Sequence, residues 1–155
     1  MANFHLLRGR TSQVGGYCSI TAVVRDRRPL LAQRDHASLL RAELQRIAQE
    51  GAADTLAWVA MPDHLHWLLQ LRQGSLGHCL QRFKSRSARA INSAMGSSGA
   101  FWQGGYYEHR LRCEDELLTQ ARYLVANPLR KGLVTRIEEY PFWWCRWVSA
   151  STDLA

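Results

Sequence analysis

Leu56-Ala57-Trp58-Val59-Ala60-Met61-Pro62-Asp63-His64-Leu65-His66-Trp67-Leu68-Leu69-Gln70-Leu71 is the stretch around which the chain is organised. Two short apolar runs flank the turn signal Pro62-Asp63, which predicts a tight β-hairpin. Side chains of a strand alternate between its two faces. Leu65, Trp67, Leu69 and Leu71 therefore share one face, the expected core. His64 and His66 share the other. Two imidazoles on a rigid strand, beside a turn carrying Asp63, are well placed to hold a metal ion. They are also compatible with a plain hydrogen-bonded pair on a half-wet sheet. A zinc site needs three or four ligands at recognisable spacing. Cys18, Cys79, Cys113 and Cys145 are scattered and form no CxxC pair.

Length and composition narrow the setting. The 155 residues, 46% hydrophobic, suit one domain with one core and argue against disorder. No run of about 18 apolar residues exists, so no membrane span is expected. The N-terminus lacks the apolar segment of a signal peptide. The cysteines read as free thiols of a reducing cytoplasm. A net charge of +7 favours a polyanionic partner.

Outward from the hairpin, residues 1–16 read as a polar, basic N-terminal arm. Tyr17–Val24 reads as the first strand. Residues 35–50 read as a helix, with Leu39, Leu40, Leu44 and Ile47 at helical spacing and Asp35 as its N-cap. Residues 75–95 read as a second helix with Leu76, Leu80, Phe83, Ala90 and Ile91 inward. Arg82, Arg86 and Arg89 form a cationic stripe along it, open to reading as a DNA contact or as a solvated face. Trp102, Tyr106 and Tyr107 stand in an aromatic, glycine-rich segment before a strand over 107–112. With Arg110 and Arg112 they offer stacking partners for unpaired bases, or ordinary core residues. Residues 137–155 form an aromatic tail expected to pack on the sheet or on a neighbouring subunit.

The helix predicted over 115–126 carries a sharper signal. Leu117, Leu118, Ala121, Leu124 and Val125 fall on one stripe, at roughly 100° per residue. Tyr123 lies roughly 160° from its centre and Asn127 roughly 120° away on the same side. Being i and i+4, they are neighbours, and Pro128 predicts the helix end near Asn127. A tyrosine hydroxyl can form a covalent intermediate. A divalent cation can stabilise charge on a phosphodiester. Two histidines, an off-core tyrosine and an amide one turn later are thus a kit for cutting DNA without water as first nucleophile.

The segment Met61–Leu69 resembles the HUH motif of the single-tyrosine transposases. Phe101–Arg110 and Ala121-Arg122-Tyr123-Leu124-Val125-Ala126-Asn127-Pro128-Leu129-Arg130-Lys131-Gly132-Leu133-Val134 resemble the REP-associated tyrosine transposases, a bacterial branch of that superfamily. The resemblance spans about Tyr17 to Trp147. It implies an α+β, ferredoxin-like sandwich, an antiparallel sheet backed by helices. It implies that His64 and His66, with Asn127, bind Mg2+ or Mn2+ and that Tyr123 attacks the scissile phosphate to leave a 5′-phosphotyrosine. Mobile members carry Gln where this chain has Asn127. The implied partner is single-stranded or hairpin DNA, such as a REP palindrome, in the bacterial cytoplasm and nucleoid. A monomer and a homodimer with the tyrosine helix supplied in trans both fit. A second reading is a DNA-binding protein that kept the fold and lost the chemistry; a third is a small zinc or RNA-binding domain.

Overall fold

The computed structural model describes residues 13–148, together with the backbone of 5–7. Six strands form one antiparallel sheet: β1 (His5–Leu7), β2 (Tyr17–Val23), β3 (Ala53–Met61), β4 (His64–Leu71), β5 (Tyr106–Leu111) and β6 (Trp143–Cys145), in the order β1-β5-β2-β4-β3-β6. Four α-helices complete it: α1 (Arg34–Gln49), α2 (Leu76–Met95), α3 (Glu114–Val125) and α4 (Asn127–Arg130). This is the expected α+β sandwich. The expected arm differs, because His5–Leu7 pair with β5 and add an edge strand. The aromatic tail supplies the other edge, β6 on β3; residues 149–155 of that tail lie outside the described residues.

The hairpin β3–β4 turns through Pro62-Asp63 as its sequence predicts, and β4 is central, paired with β2 and β3. Alternation along β4 divides the core. Leu65, Trp67, Leu69 and Leu71 join the buried residues of α1 and α2, including Leu40, Leu44, Leu80 and Phe83. On the other face Leu68 packs with Leu117, Ala121, Leu124 and Val125 of α3. Sequence periodicity placed these helices to within a residue or two. At the start of α1, however, Gln33 holds the N-cap position without a side-chain bond. Asp35 sits in the first turn instead, where its charge faces the positive end of the helix dipole. Ser75, expected as the first residue of the helix, instead caps it, accepting from the His78 amide at 3.2 Å. Ala90 of α2 is half-buried, while Cys79 and Ser87 are fully inside.

Candidate nuclease site

The register of the sheet builds the site on its α3 face. His66 of β4 stands opposite Thr21 of β2, and Thr21 stands opposite Tyr107 of β5. His64 stands opposite Val23. These residues floor a pocket of about 470 Å³, and Gln120, Tyr123, Asn127, Arg130 and Lys131 wall it from α3, α4 and the residue after α4. Tyr123 is 57% exposed, whereas Asn127 is buried. The helix ends at Val125, and the chain passes through Ala126 in helical geometry into α4. That near-continuity puts Tyr123 and Asn127 on one side, as their spacing predicts.

The two histidines converge. Their Nε2 atoms are 3.1 Å apart and their rings meet edge to face at 85°. Each Nδ1 is held from behind. Nδ1 of His64 donates to the Asp63 carboxylate at 2.6 Å, and Nδ1 of His66 lies 3.0 Å from the Thr21 hydroxyl. With its Nδ1 proton given to Asp63, His64 presents a bare lone pair at Nε2. His66 has two tautomers available. In one, Nε2–H donates to His64 while the Thr21 hydroxyl donates to Nδ1. In the other, Nδ1–H donates to Thr21 Oγ1, and both Nε2 lone pairs turn to a common point. The second is the ligand form, and two ligands about 2.1 Å from one ion at right angles stand about 3.0 Å apart. Asp63 and Thr21 therefore fix ring orientation as carboxylate and hydroxyl partners of metal-ligating histidines do.

Among the described residues no three His, Cys, Asp or Glu side chains gather as a closed metal cage. The donors present are two neutral imidazoles and the Asn127 amide, which fit an open divalent site whose shell is completed by substrate oxygens. Electrostatics keep the imidazoles neutral. Burial drives the His66 pKa down to about 3, helped by His64, Arg130 and Lys131. Burial also lowers His64, with Asp63 pulling the other way. Asp63 is itself held below the ordinary carboxylate range: its partial burial opposes this, but the His64 hydrogen bond and the Arg27 guanidinium at 3.2 Å outweigh it. The Pro62-Asp63 turn is tied down by the Val24 amide donating to the Asp63 carbonyl and the Leu31 amide to that of Pro62, both at 2.9 Å. Asp26 and Arg27 take φ of 59° and 52°, left-handed backbone that is uncommon outside glycine. That sharp turn at the end of β2 brings Arg27 to Asp63.

The other candidate DNA contacts separate. Tyr107 lines the pocket. Trp102 and Tyr106 do not: both are buried in the α1/α2 core, and the Trp102 indole donates to Ser87 Oγ at 3.0 Å. They present no ring face to a base. Alternation along β5 sends Tyr106 to one face and Tyr107 to the other. Arg82 and Arg86 lie on α2, across the sheet from the histidines. They pair with Glu50, the residue capping the C-terminus of α1, at 3.3 and 2.6 Å, and Arg86 also with Glu43 at 3.1 Å. Arg89 is exposed on that same helix. Arg110 shares the α2 side of β5 and pairs with Glu108 at 2.9 Å, and Arg112 is exposed just after the strand. Thr21, Arg27, Gln120, Arg130 and Lys131 are site residues that sequence reasoning missed. Only Arg130-Lys131 had a local signal, a basic pair one residue beyond Asn127-Pro128 that a nearly continuous helix returns to the tyrosine side.

The antiparallel sheet thus sets a histidine pair on one strand beneath a tyrosine on α3 and an amide at the start of α4. A family model described as "Transposase IS200 like" matches residues 12–126, and the chain belongs to this family. It is similar to a REP-associated tyrosine transposase of Escherichia coli (strain K12), 25% identical over 130 residues, covering 83% of this chain and 75% of that relative. A Haemophilus influenzae relative is 23% identical over 139 residues, covering 83% and 78%. Among solved structures, a REP-associated tyrosine transposase bound to a REP hairpin superposes with a TM-score of 0.72 at 22% identity, covering 95% of this chain and 93% of that one.

Proposed function

We propose that this protein is a metal-dependent single-strand endonuclease and strand transferase that acts on hairpin-forming DNA through a 5′-phosphotyrosine at Tyr123. The observation that carries the reading is the convergence of His64, His66, Tyr123 and Asn127 on one pocket edged by Arg130 and Lys131. The hairpin-bound relative supports the substrate class. His64, His66 and Asn127 would hold a divalent cation, Mg2+ or Mn2+, which would supply Lewis-acid stabilisation of charge on the scissile phosphate. The chain's residues do the rest. Asp63 holds His64 in its ligand tautomer, and Thr21 accepts from Nδ1–H of His66 when that ring takes the same form. Tyr123 Oη forms a bond to phosphorus as the bond from phosphorus to the 3′-oxygen breaks. The phenolic proton leaves to solvent, and the departing 3′-oxygen takes one up. Bond energy is conserved in the tyrosyl ester, so a second 3′-hydroxyl can reverse the step.

A duplex resists the backbone distortion that in-line attack requires, and an unpaired tract does not. Three oligonucleotides of one sequence test this: a hairpin with an unpaired flank, an unstructured strand and a full duplex. A protein–DNA adduct on the 5′ end with the hairpin, dependent on Mg2+ or Mn2+, is the expected result. Equal reaction of the duplex refutes the single-strand requirement. Hairpin binding with no adduct under any metal makes the protein a catalytically silent DNA binder.

A further inference from the structure

We propose that Arg130 is a catalytic residue that holds Tyr123 with one part of its guanidinium and the scissile phosphate with the rest. This rests on the nucleophile assignment above. The guanidinium carbon lies 3.8 Å from the centre of the Tyr123 ring, stacked on its face. One Nη1–H donates to the Tyr123 backbone carbonyl at 2.5 Å. The two contacts grip the tyrosine by ring and backbone at once, and a residue 57% exposed has little else to fix it. Stacking uses the face of the plane, which donates nothing, so the remaining N–H groups stay free for another partner.

What that partner is follows from charge and place. Arg130 lines the pocket with His64, His66 and Tyr123. Unlike Arg27, Arg82 and Arg86, it has no ion-pair partner among the described residues. Lys131 follows it and lines the same pocket. A phosphodiester offers two charged oxygens that match the planar fork of a guanidinium. As Tyr123 Oη bonds to phosphorus and the 3′-oxygen leaves, negative charge grows on those oxygens. A preset cation then helps more in the transition state than in the ground state. Arg130 keeps its protons throughout. One group that touches both nucleophile and electrophile also fixes their approach.

The test measures single-turnover adduct formation by the parent, Arg130→Ala and Arg130→Lys. The substrates are two hairpin oligonucleotides, one with a phosphodiester at the scissile linkage and one with an uncharged methylphosphonate there. On the phosphodiester, Arg130→Ala should slow the reaction by about 10²-fold or more. Lysine should rescue little, since it neither stacks flat nor forks. On the methylphosphonate the penalty should shrink to about threefold, because the charge that Arg130 answers is gone. An equal penalty on both substrates reduces Arg130 to a structural support of Tyr123 and overturns the proposal, as does an unimpaired Arg130→Ala. Arg130→Gln replaces the alanine variant if circular dichroism shows the latter unfolded. Tyr123→Phe is run in parallel. If it still forms adduct, the nucleophile assignment has failed; if it is inert while Arg130→Ala is unimpaired, only the role of Arg130 has failed.

Discussion

The two faces of the sheet carry similar residue types and use them differently. On the α1/α2 face, Arg82 and Arg86 are answered by Glu43 and Glu50, and the aromatic rings of Trp102 and Tyr106 are sealed in the core. On the α3 face, Arg130 and Lys131 edge an open pocket, and Tyr107 and Tyr123 line it. Arginines and aromatics therefore mark a nucleic-acid surface only where nothing inside the fold has already claimed them. A net charge of +7 says how much cationic charge exists, not which face presents it.

Removing the phenol of the open face breaks the contrast most severely. Tyr123→Phe should abolish the covalent adduct in a denaturing gel. Tyr106→Phe, on the sealed face, should leave it at parental yield. Adduct retained in Tyr123→Phe and absent in Tyr107→Phe would move the nucleophile to β5.

Next come the histidine supports. His64→Ala with His66→Ala should eliminate cleavage while hairpin binding, measured by fluorescence anisotropy, persists, since affinity resides mainly in phosphate contacts. Asp63→Asn should weaken Mn2+ affinity by about 10–100-fold, read by calorimetry without DNA. Undiminished Mn2+ binding in the double histidine variant would remove the metal assignment.

The arginines sharpen the comparison directly. Replacing Arg130 and Lys131 should flatten the salt dependence of hairpin binding. The log–log slope should fall by about 0.7 for each single-strand phosphate that the variant no longer neutralises. Replacing Arg82 and Arg86 should leave that slope alone and lower stability instead. Arg86→Ala leaves the Glu43 carboxylate, only 11% exposed, with Arg46 at 3.4 Å as its remaining guanidinium. The destabilisation should be about 2 kcal/mol in urea denaturation, less than a fully buried pair would give. The reverse pattern would mean that α2 is the DNA face after all.

The last contrast is one of pH. With its folded pKa near 3 against an ordinary 6.5, His66 stays neutral in the fold while the unfolded chain takes up a proton. Stability should therefore fall as pH drops from about 6.5 toward 3, and be independent of this group above that window. His66→Asn should flatten the decline in denaturation midpoints. An unchanged curve would place the pH sensitivity elsewhere.

Much of this was legible because it is local. The hairpin, the histidine face and the α3 stripe each follow from periodicity within one segment. Thr21 was not legible as a partner of His66, because only the sheet order brings together residues 45 apart in the chain. The neutralised arginines had the same cause: periodicity finds a stripe on α2 but does not show the glutamates that α1 lays against it. Tyr106 and Tyr107 are adjacent and chemically alike, and a one-residue choice of register decided which one faces the pocket.

The short outer strands carry a consequence for the protein in a crowded cell. A long bare sheet edge invites a second chain to add itself by backbone pairing. Here β5 is flanked by the three residues of β1 and β3 by the three of β6. Each leaves only about 10 Å of ladder on offer. β4, the strand that holds both histidines, is paired on both sides and offers no edge, and among the described residues β1 and β6 close the 106–108 stretch of β5 and the 57–59 stretch of β3 to a second chain.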